Sequence, residues 1–350
     1  MTDRQIAIEQ FLNQAGWGGA KREPLQGDAS FRRYERMELN GHQAILMDAP
    51  PPLESVDKFV SIAQHLNSLG FKAPNIFAKK LKSGFLIIED FGEQTFTKIL
   101  STADSKAETN LYNLAVDVLI KLHNFPTNIV APPNTKIYTV SKLLDEAQLF
   151  CDWTWDAIFG VLPEKKIIES YQDAWKATLN SIKCQHKTLV LRDFHVDNLM
   201  LLQNRSGITR CGLLDFQDAV LGHRAYDLMS LLEDARRNIG LNLKKELLER
   251  YLTAFPNLER ETFSTAFAIL SAQRHAKVIG IFTRLCMRDG KTTYLKHIPR
   301  VWRLLESSLT HPSLAQVADW LDFYVPKSKR IAPTLVMIKN SSYSRSHSIS

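Results

Sequence analysis

The chain has 350 residues, 45% of them hydrophobic and 23% charged, and a formal charge of +7. That composition excludes a wholly disordered or fibrous protein and leaves room for two domains, each with its own core. The charge is modest for the length: it suits a protein that handles anionic nucleotides but gives no ground for a nucleic-acid partner. Cys151, Cys184, Cys211 and Cys286 lie far apart with no CxxC and read as buried thiols of a reducing compartment. Cys184 and His186 lack the further partners a metal site needs. No stretch is long and apolar enough to span a membrane, and the opening MTDRQIAIEQFLNQAG lacks the apolar run of a signal peptide. A cytoplasmic monomer without a membrane or nucleic-acid partner is expected.

Asp3 can cap a helix over 4–14, whose Ile6, Phe11 and Leu12 recur at helical spacing, and Gly16 to Gly19 end it. Small residues at Gly27, Ala29 and Ser30 then make a turn into an alternating strand. A second strand, Gln43 to Asp48, pairs with the first through Asn40-Gly41, a strong hairpin signal. Strand, small-residue turn and strand form a flap suited to phosphates, with backbone N–H groups and Ser30 as donors. Arg32 and Arg33 add guanidinium forks that fit phosphate oxygens, one expected to face a cleft and the other solvent. Residues 54–69 read as an amphipathic helix closed by Gly70. Short strands follow at 74–77 and from Gly84 onward. The second ends in Glu89-Asp-Phe91-Gly92, where backbone groups beside Glu89 and Phe91 can meet the edge of a nucleotide base. Residues 1–92 therefore read as an N-terminal nucleotide-binding lobe.

Beyond Thr95 helical periodicity dominates. Helices are predicted over 106–123, 139–160 and 164–183; the second is rich in aromatics, most of them core and some able to wall a sugar or other ring-bearing substrate, with Glu146 and Asp152 as polar candidates beside them. Short β-like pieces stand at 188–191, 199–202 and 210–214. Further helices are predicted over 227–235, 242–255, 262–285, 298–309 and 312–324. Asp227, ahead of an apolar run, reads as a helix cap or a brace for a neighbouring loop. Within 262–285 the run Gln273-Arg274-His275-Ala-Lys277 is polar between apolar flanks. With Arg288 and Lys291 it suggests either a basic cluster for an acidic or phosphorylated ligand or a set of structural salt bridges. Residues 93–326 thus read as a helical C-terminal lobe with the catalytic and substrate site, and 327–350, basic and then Ser-rich, as a disordered tail.

Two segments carry chemistry: Leu191-Arg-Asp193-Phe-His195-Val-Asp-Asn198 and Leu213-Leu-Asp215-Phe-Gln217. An Asp, an Asn five positions on, and an Asp at the end of an apolar run suit phosphoryl transfer. Asp193 would accept the proton of a substrate hydroxyl, and Asn198 and Asp215 would hold Mg²⁺. Mg²⁺ takes hard oxygen ligands and commonly only one or two carboxylates, with phosphate and water supplying the rest.

On these residues the chain resembles the aminoglycoside phosphotransferase and choline kinase superfamily over residues 20–325. The superfamily's His-Gly-Asp-x-His-x-x-Asn is matched by Asp193, His195 and Asn198. Its Asp-Phe/Trp-x-x-Ala-x-x-Gly-x-x-x-x-Asp-Leu is matched by Asp215, Phe216, Ala219, Gly222, Asp227 and Leu228. The resemblance implies an α+β, protein-kinase-like bilobal fold, with a small antiparallel β N-lobe and a larger helical C-lobe, and ATP and Mg²⁺ in the reaction. Gly27-Asp-Ala-Ser-Phe-Arg-Arg-Tyr34, Met47-Asp-Ala-Pro-Pro-Pro52 and the stretch from Gln273 to Lys291 look more narrowly like the bacterial anomeric N-acetylmuramate/N-acetylglucosamine kinases of cell-wall recycling. That likeness implies a sugar substrate, with Glu146, His195, Arg274 and Lys291 as candidates to bind it. Three positions depart from the pattern. Leu191 replaces the first loop His, and Met47 and Phe59 stand where kinases carry a phosphate-binding Lys and its Glu partner. Arg32 or Arg33 is then expected to hold the α- and β-phosphates. A kinase of choline, homoserine or an aminoglycoside, and an inactive nucleotide-binding scaffold, are the rival readings.

Overall fold

The computed structural model describes residues 2–25, 31–184 and 186–343. The chain divides into two units, Met1–Thr135 with Leu191–Ala219, and Lys136–Val190 with Val220–Ser350. The boundary expected after residue 92 is therefore not where the chain divides. Two helices beyond it, and both chemical segments, belong to the same unit as the sheet.

The first unit is built on five antiparallel strands, β1 (Lys21–Leu25), β2 (Arg33–Leu39), β3 (His42–Asp48), β4 (Ile76–Lys80) and β5 (Phe85–Glu89), in the order β1-β2-β3-β5-β4. Asn40 and Gly41 join β2 to β3 with φ of 51° and 79°. A two-residue turn whose twist matches the strands needs positive φ at both positions, which this dipeptide tolerates. Helix α1 (Asp3–Gln14) covers one face of the sheet. Ile8, Phe11 and Leu12 pack there on Met37, Ala44, Leu46, Phe85 and Ile87. Phe11 stacks on Phe85 with ring centroids 5.7 Å apart; burying side chains of this size contributes about 2 kcal/mol each. The cap of α1 is Thr2 rather than Asp3: its hydroxyl accepts from Gln5 N and its own N–H is accepted by Gln5, a reciprocal capping box.

Because side chains alternate along a strand, the register fixes what the opposite face carries. Tyr34 stands opposite Met47, which stands opposite Leu86, and Arg36 stands opposite Ile45, which stands opposite Ile88. Helix α2 (Asp57–Ser68) buries Phe59, Val60, Ile62, Ala63 and Leu66. Helices α3 (Phe96–Leu100) and α4 (Ser105–His123) complete the unit before residue 135.

The second unit contains α5 (Val140–Leu149), α6 (Asp156–Phe159), α7 (Lys165–Asn180), strand β6 (Lys187–Val190), and, after the first unit's short strands β7 (Leu199–Leu201) and β8 (Cys211–Leu213), strand β9 (Val220–His223). β6 and β9 pair antiparallel. Helices α8 (Ala225–Leu232), α9 (Leu241–Thr253), α10 (Arg260–Asp289), α11 (Ile298–Leu309), α12 (Ala315–Tyr324) and α13 (Leu335–Lys339) follow. Residues 150–155 carry α5 into α6 as one turn of wider π-helix, so the helix predicted over 139–160 is a composite. The axis of this unit is α10, 30 residues long and buried along most of its length. Gly280 lets it come close to α5, since a Cβ there would lie 2.4 Å from the carbonyl carbon of Leu149.

The tail predicted over 327–350 is not disordered within the described residues. Arg330 donates to Val325 O at 3.0 Å and to Glu306 at 3.1 Å. In α13, Ile338 packs with Ala157, Cys286 and Met287. Asp156, fully buried, accepts from the backbone N–H groups of Ser342 and Tyr343 at 2.8 and 2.9 Å. One apolar side chain and two charged anchors are too sparse to register as periodicity, which is why composition alone suggested disorder.

Candidate active site

The chemical segments owe their geometry to a hairpin. β7 pairs antiparallel with β8, Leu199 opposite Leu213, and Leu214 N donates to Asn198 O at 3.0 Å. Asn198 and Leu214 thus continue the ladder by one step, and Asp215 follows directly. The strands are only three residues each, so the hairpin alone would be marginal. It is held by Lys72 O, which accepts from Leu213 N at 2.8 Å, and by Gln94 O, which accepts from Leu201 N at 2.8 Å. Gly212 is required on β8, because a Cβ there would lie 2.8 Å from the Phe91 ring.

Before the hairpin the chain turns sharply. Arg192 has φ of 71°, Asp193 N donates to Leu191 O at 2.9 Å, and His195 N donates to Asp193 O at 3.2 Å. Asp215 has φ of 56°. A left-handed backbone costs a residue with a side chain about 1–2 kcal/mol, and both chemical segments carry one such residue. Asn198 Nδ2 donates to Asp193 O at 2.9 Å, which fixes the amide so that its Oδ1 is the end left for a cation. Asp215 Oδ1 accepts from Gln217 Nε2 at 2.7 Å. Burial pushes the Asp215 carboxyl above its ordinary range, and the neighbouring Asp193 carboxylate pushes the same way. Gln217, Arg32 and His195 oppose them. A carboxylate whose proton affinity is raised by burial and by a second carboxylate nearby is a hard-oxygen donor of the kind that suits a divalent cation. Phe216 is fully buried and stacks on Phe59, centroids 5.0 Å apart.

Of the two arginines, Arg32 is the inward one. Its side chain is 9% exposed, with Nη1 3.9 Å from Asp215 Oδ1 and Nη2 2.9 Å from Glu54 Oε2, whereas Arg33 is exposed. Ser30 lies outside the described residues. Glu89 closes β5 with its carboxylate engaged: Oε2 accepts from Lys72 Nζ and, at 3.0 Å, from Asn75 N. The Lys72 ammonium also lies 5.4 Å above the Phe91 ring. Lys72, Glu54 and Tyr34 were not singled out from sequence. Lys72 and Glu54 are single polar residues outside any motif, Tyr34 only closes the Gly27–Tyr34 stretch, and the fold alone shows what surrounds each.

The residues expected to bind the sugar are divided between the two units: His195 is in the first, and Glu146, Arg274 and Lys291 are in the second. His195, buried, sits 3.4 Å from Asn198 Nδ2 and 3.9 Å from Asp197 Oδ2 within the loop itself. Glu146 and Arg274 lie in one buried network of the second unit. Glu146 Oε2 is 2.9 Å from Lys277 Nζ and also accepts from the Tyr138 hydroxyl. The Tyr138 and Tyr226 hydroxyls lie 3.2 Å apart, and Arg274 donates to Tyr226 at 3.4 Å. Lys291 lies two residues beyond Asp289, the last residue of α10, which is itself about 22 Å along the helix from Arg274 at 1.5 Å per residue. Arg288 pairs with Asp289 at that end. The basic cluster suggested by sequence is thus a buried ion pair mid-helix and separate charges at its end. Asp227 is buried inside the first turn of α8 rather than at its N-cap, which Arg224 occupies.

Residues 21–262 match the phosphotransferase enzyme family, and the chain belongs to that family. It is similar to the N-acetylmuramate/N-acetylglucosamine kinase of Caulobacter vibrioides, 32% identical over 361 residues that take in 94% of this chain and 99% of that protein. It is also similar to the protein of the same name from Pseudomonas aeruginosa, 35% identical over 318 residues, 87% of this chain and 90% of that one. A choline/ethanolamine kinase family protein from Mesorhizobium loti superposes with a TM-score of 0.60 at 12% identity, covering 91% of this chain and 99% of the other. That likeness shows the fold: α+β and kinase-like, with a small antiparallel sheet and a larger helical part.

Proposed function

We propose that this phosphotransferase moves the γ-phosphoryl group of ATP to a hydroxyl of an amino sugar, the anomeric hydroxyl of N-acetylmuramate or N-acetylglucosamine, in cytoplasmic cell-wall recycling. The observation that carries the phosphoryl-transfer chemistry is the hairpin that sets Asn198 beside Asp215, with the Asp193 carbonyl orienting the amide. The names of relatives that cover most of the chain support the acceptor. Asp193 orients the acceptor hydroxyl and takes its proton. An anomeric hydroxyl is more acidic than an ordinary alcohol, so a carboxylate base suffices. Asn198 and Asp215 supply oxygens for Mg²⁺, which when bound neutralises charge on the nucleotide phosphates. Arg32 meets the phosphates in place of the missing strand Lys, and the backbone around Glu89 and Phe91 meets the base. For the sugar, His195 and Arg274 remain candidates. The engaged carboxylate of Glu146 makes it a support of the Tyr138 and Tyr226 hydroxyls rather than a direct ligand.

A coupled ADP-release assay with Mg-ATP tests this against N-acetylmuramate, N-acetylglucosamine, glucose, choline and kanamycin. The two N-acetyl sugars should turn over, and Asp193→Ala should lower turnover by about a thousandfold while nucleotide still binds. Turnover of choline or kanamycin in preference to the sugars would refute the acceptor, and full turnover by Asp193→Ala would refute the base.

A further inference from the structure

Kinases set the phosphate-binding Lys of the third strand by an ion pair with a Glu of the following helix. Here the corresponding residues, Met47 and Phe59, are buried and apolar, and Phe59 is committed to the stack on Phe216. A different pair occupies the neighbourhood. Tyr34 stands directly opposite Met47 across the β2–β3 ladder, and Arg32 lies two residues before Tyr34, at the mouth of β2. Tyr34 is among the groups that interact electrostatically with Arg32. Its Nη2 meets Glu54, three residues ahead of α2, at 2.9 Å, and its Nη1 faces Asp215 at 3.9 Å. The Arg32 and Glu54 side chains are only 9% and 15% exposed.

We infer that Glu54 is a positioning residue, and that Arg32–Glu54 is the Lys–Glu pair rebuilt one strand over and a few residues before the helix. This rests on the reading of the chain as a nucleotide-dependent kinase. The physical reason is competition for the guanidinium. An Arg offers two parallel donors that match a carboxylate bidentately. Left to itself, Arg32 would close from 3.9 Å onto Asp215 and take the oxygens that a cation needs. Glu54 holds one edge of the fork, so the other stays near Asp215 without closing on it. The guanidinium is then pre-set where phosphate oxygens arrive, and its ordering is complete before the nucleotide binds.

The test is a mutant cycle of Glu54→Gln, Arg32→Met and the double variant. Its readouts are the dissociation constant of a fluorescent ADP analogue with Mg²⁺ and no acceptor, the Mg²⁺ concentration for half-saturation, and the KM of the acceptor. Glu54→Gln should weaken Mg-nucleotide binding about tenfold, as the loss of one charge-assisted contact implies, raise the Mg²⁺ requirement, and leave the acceptor KM unchanged. In the Arg32→Met background the same change should add little, because the group that Glu54 positions is gone. Unaltered nucleotide and Mg²⁺ binding in Glu54→Gln, or effects that simply multiply in the double variant, would overturn the inference. If Glu54→Gln does not fold, Glu54→Asp takes its place and must shift the same constants in the same direction. Because nucleotide binding is read without an acceptor, a chain that phosphorylates no sugar would fail the functional proposal and leave this one standing.

Discussion

The ion pair between Glu146 and Lys277 offers a sharp test of how the second unit is held together. Nζ and Oε2 are 2.9 Å apart, with side chains 6% exposed for Glu146 and 8% for Lys277. Lys277→Met keeps the length and apolar stem of the side chain and removes only the ammonium. Breaking a buried pair on one side costs about 3–5 kcal/mol, because a charge stays buried without its counter-charge. Protonation sets a ceiling: lifting a carboxyl from its ordinary value of about 4.3 to pH 7.5 costs about 4 kcal/mol at 1.36 kcal/mol per pH unit. The hydroxyl of Tyr138 still donates to Glu146, which brings the expected loss to about 3 kcal/mol at pH 7.5, or about 8 °C in Tm for a unit of this size. In the variant, a carboxyl whose proton affinity is raised by folding costs more stability as pH rises, so the gap to the parent should narrow from pH 7.5 to pH 5. Thermal and urea unfolding followed by circular dichroism read both quantities. Glu146→Gln combined with Lys277→Met should recover most of the loss, since an amide needs no counter-charge. A Lys277→Met protein as stable as the parent at pH 7.5, or a double variant no better than the single, would show that the pair is not the buried support described.

Two further predictions concern the same helix. His275, 1% exposed, has its ring value pushed down to about 4, by burial first, against the opposing pull of Glu233. Its folded value lies below the unfolded one, so its stabilising effect is complete above pH 6.5 and is lost as pH falls toward 4, by up to about 3 kcal/mol. His275→Gln should flatten the fall of the urea midpoint across that window, and an unchanged slope would sink the assignment. At Gly280 an alanine gains about 1 kcal/mol of helix propensity but places its Cβ 2.4 Å from the Leu149 backbone. Forced separation of α10 from α5 should outweigh the gain and lower Tm by about 5 °C; a rise in Tm would mean that the two helices do not approach as described.

The parts of this protein that sequence makes legible are those encoded over short distances. Asn40-Gly41 specifies its turn by φ alone, and the hairpin forms where expected. The three chemical residues lie 22 positions apart at most, linked by one hairpin, so their spacing already fixes much of their geometry. The polar run of α10 was visible but ambiguous, because a buried polar residue is explained only by its partners. Leu143 O for Gln273, Tyr226 for Arg274 and Glu146 for Lys277 come from other helices. Asp227 reads as a cap in sequence because it precedes an apolar run, yet α8 starts two residues earlier, at Ala225. The division of the chain was hidden for a related reason. A composition shift at residue 92 marks where strands give way to helices, but the bonds from Lys72 and Gln94 to the β7–β8 hairpin tie residues far beyond that point to the segments that flank β4 and β5.

The absent Lys and Glu are the case where legibility misleads. Read along the chain, Met47 and Phe59 count as losses and point toward an inactive scaffold. Read across the sheet, the losses are coupled to a gain. An apolar Met47 opposite Tyr34 leaves that face of β2 and β3 without a buried ammonium, and Phe59 is freed to stack on the residue next to Asp215. A charge pair is costly to bury singly and tolerable together, so the two charges can leave their usual positions only as a pair and reappear only as a pair. Arg32 and Glu54, 22 residues apart and outside any regular element, satisfy that condition. Arg32 is a positive fork beside Asp215 with the Glu54 carboxylate on its other edge, and under the inference drawn above the role does not depend on which strand supplies the fork.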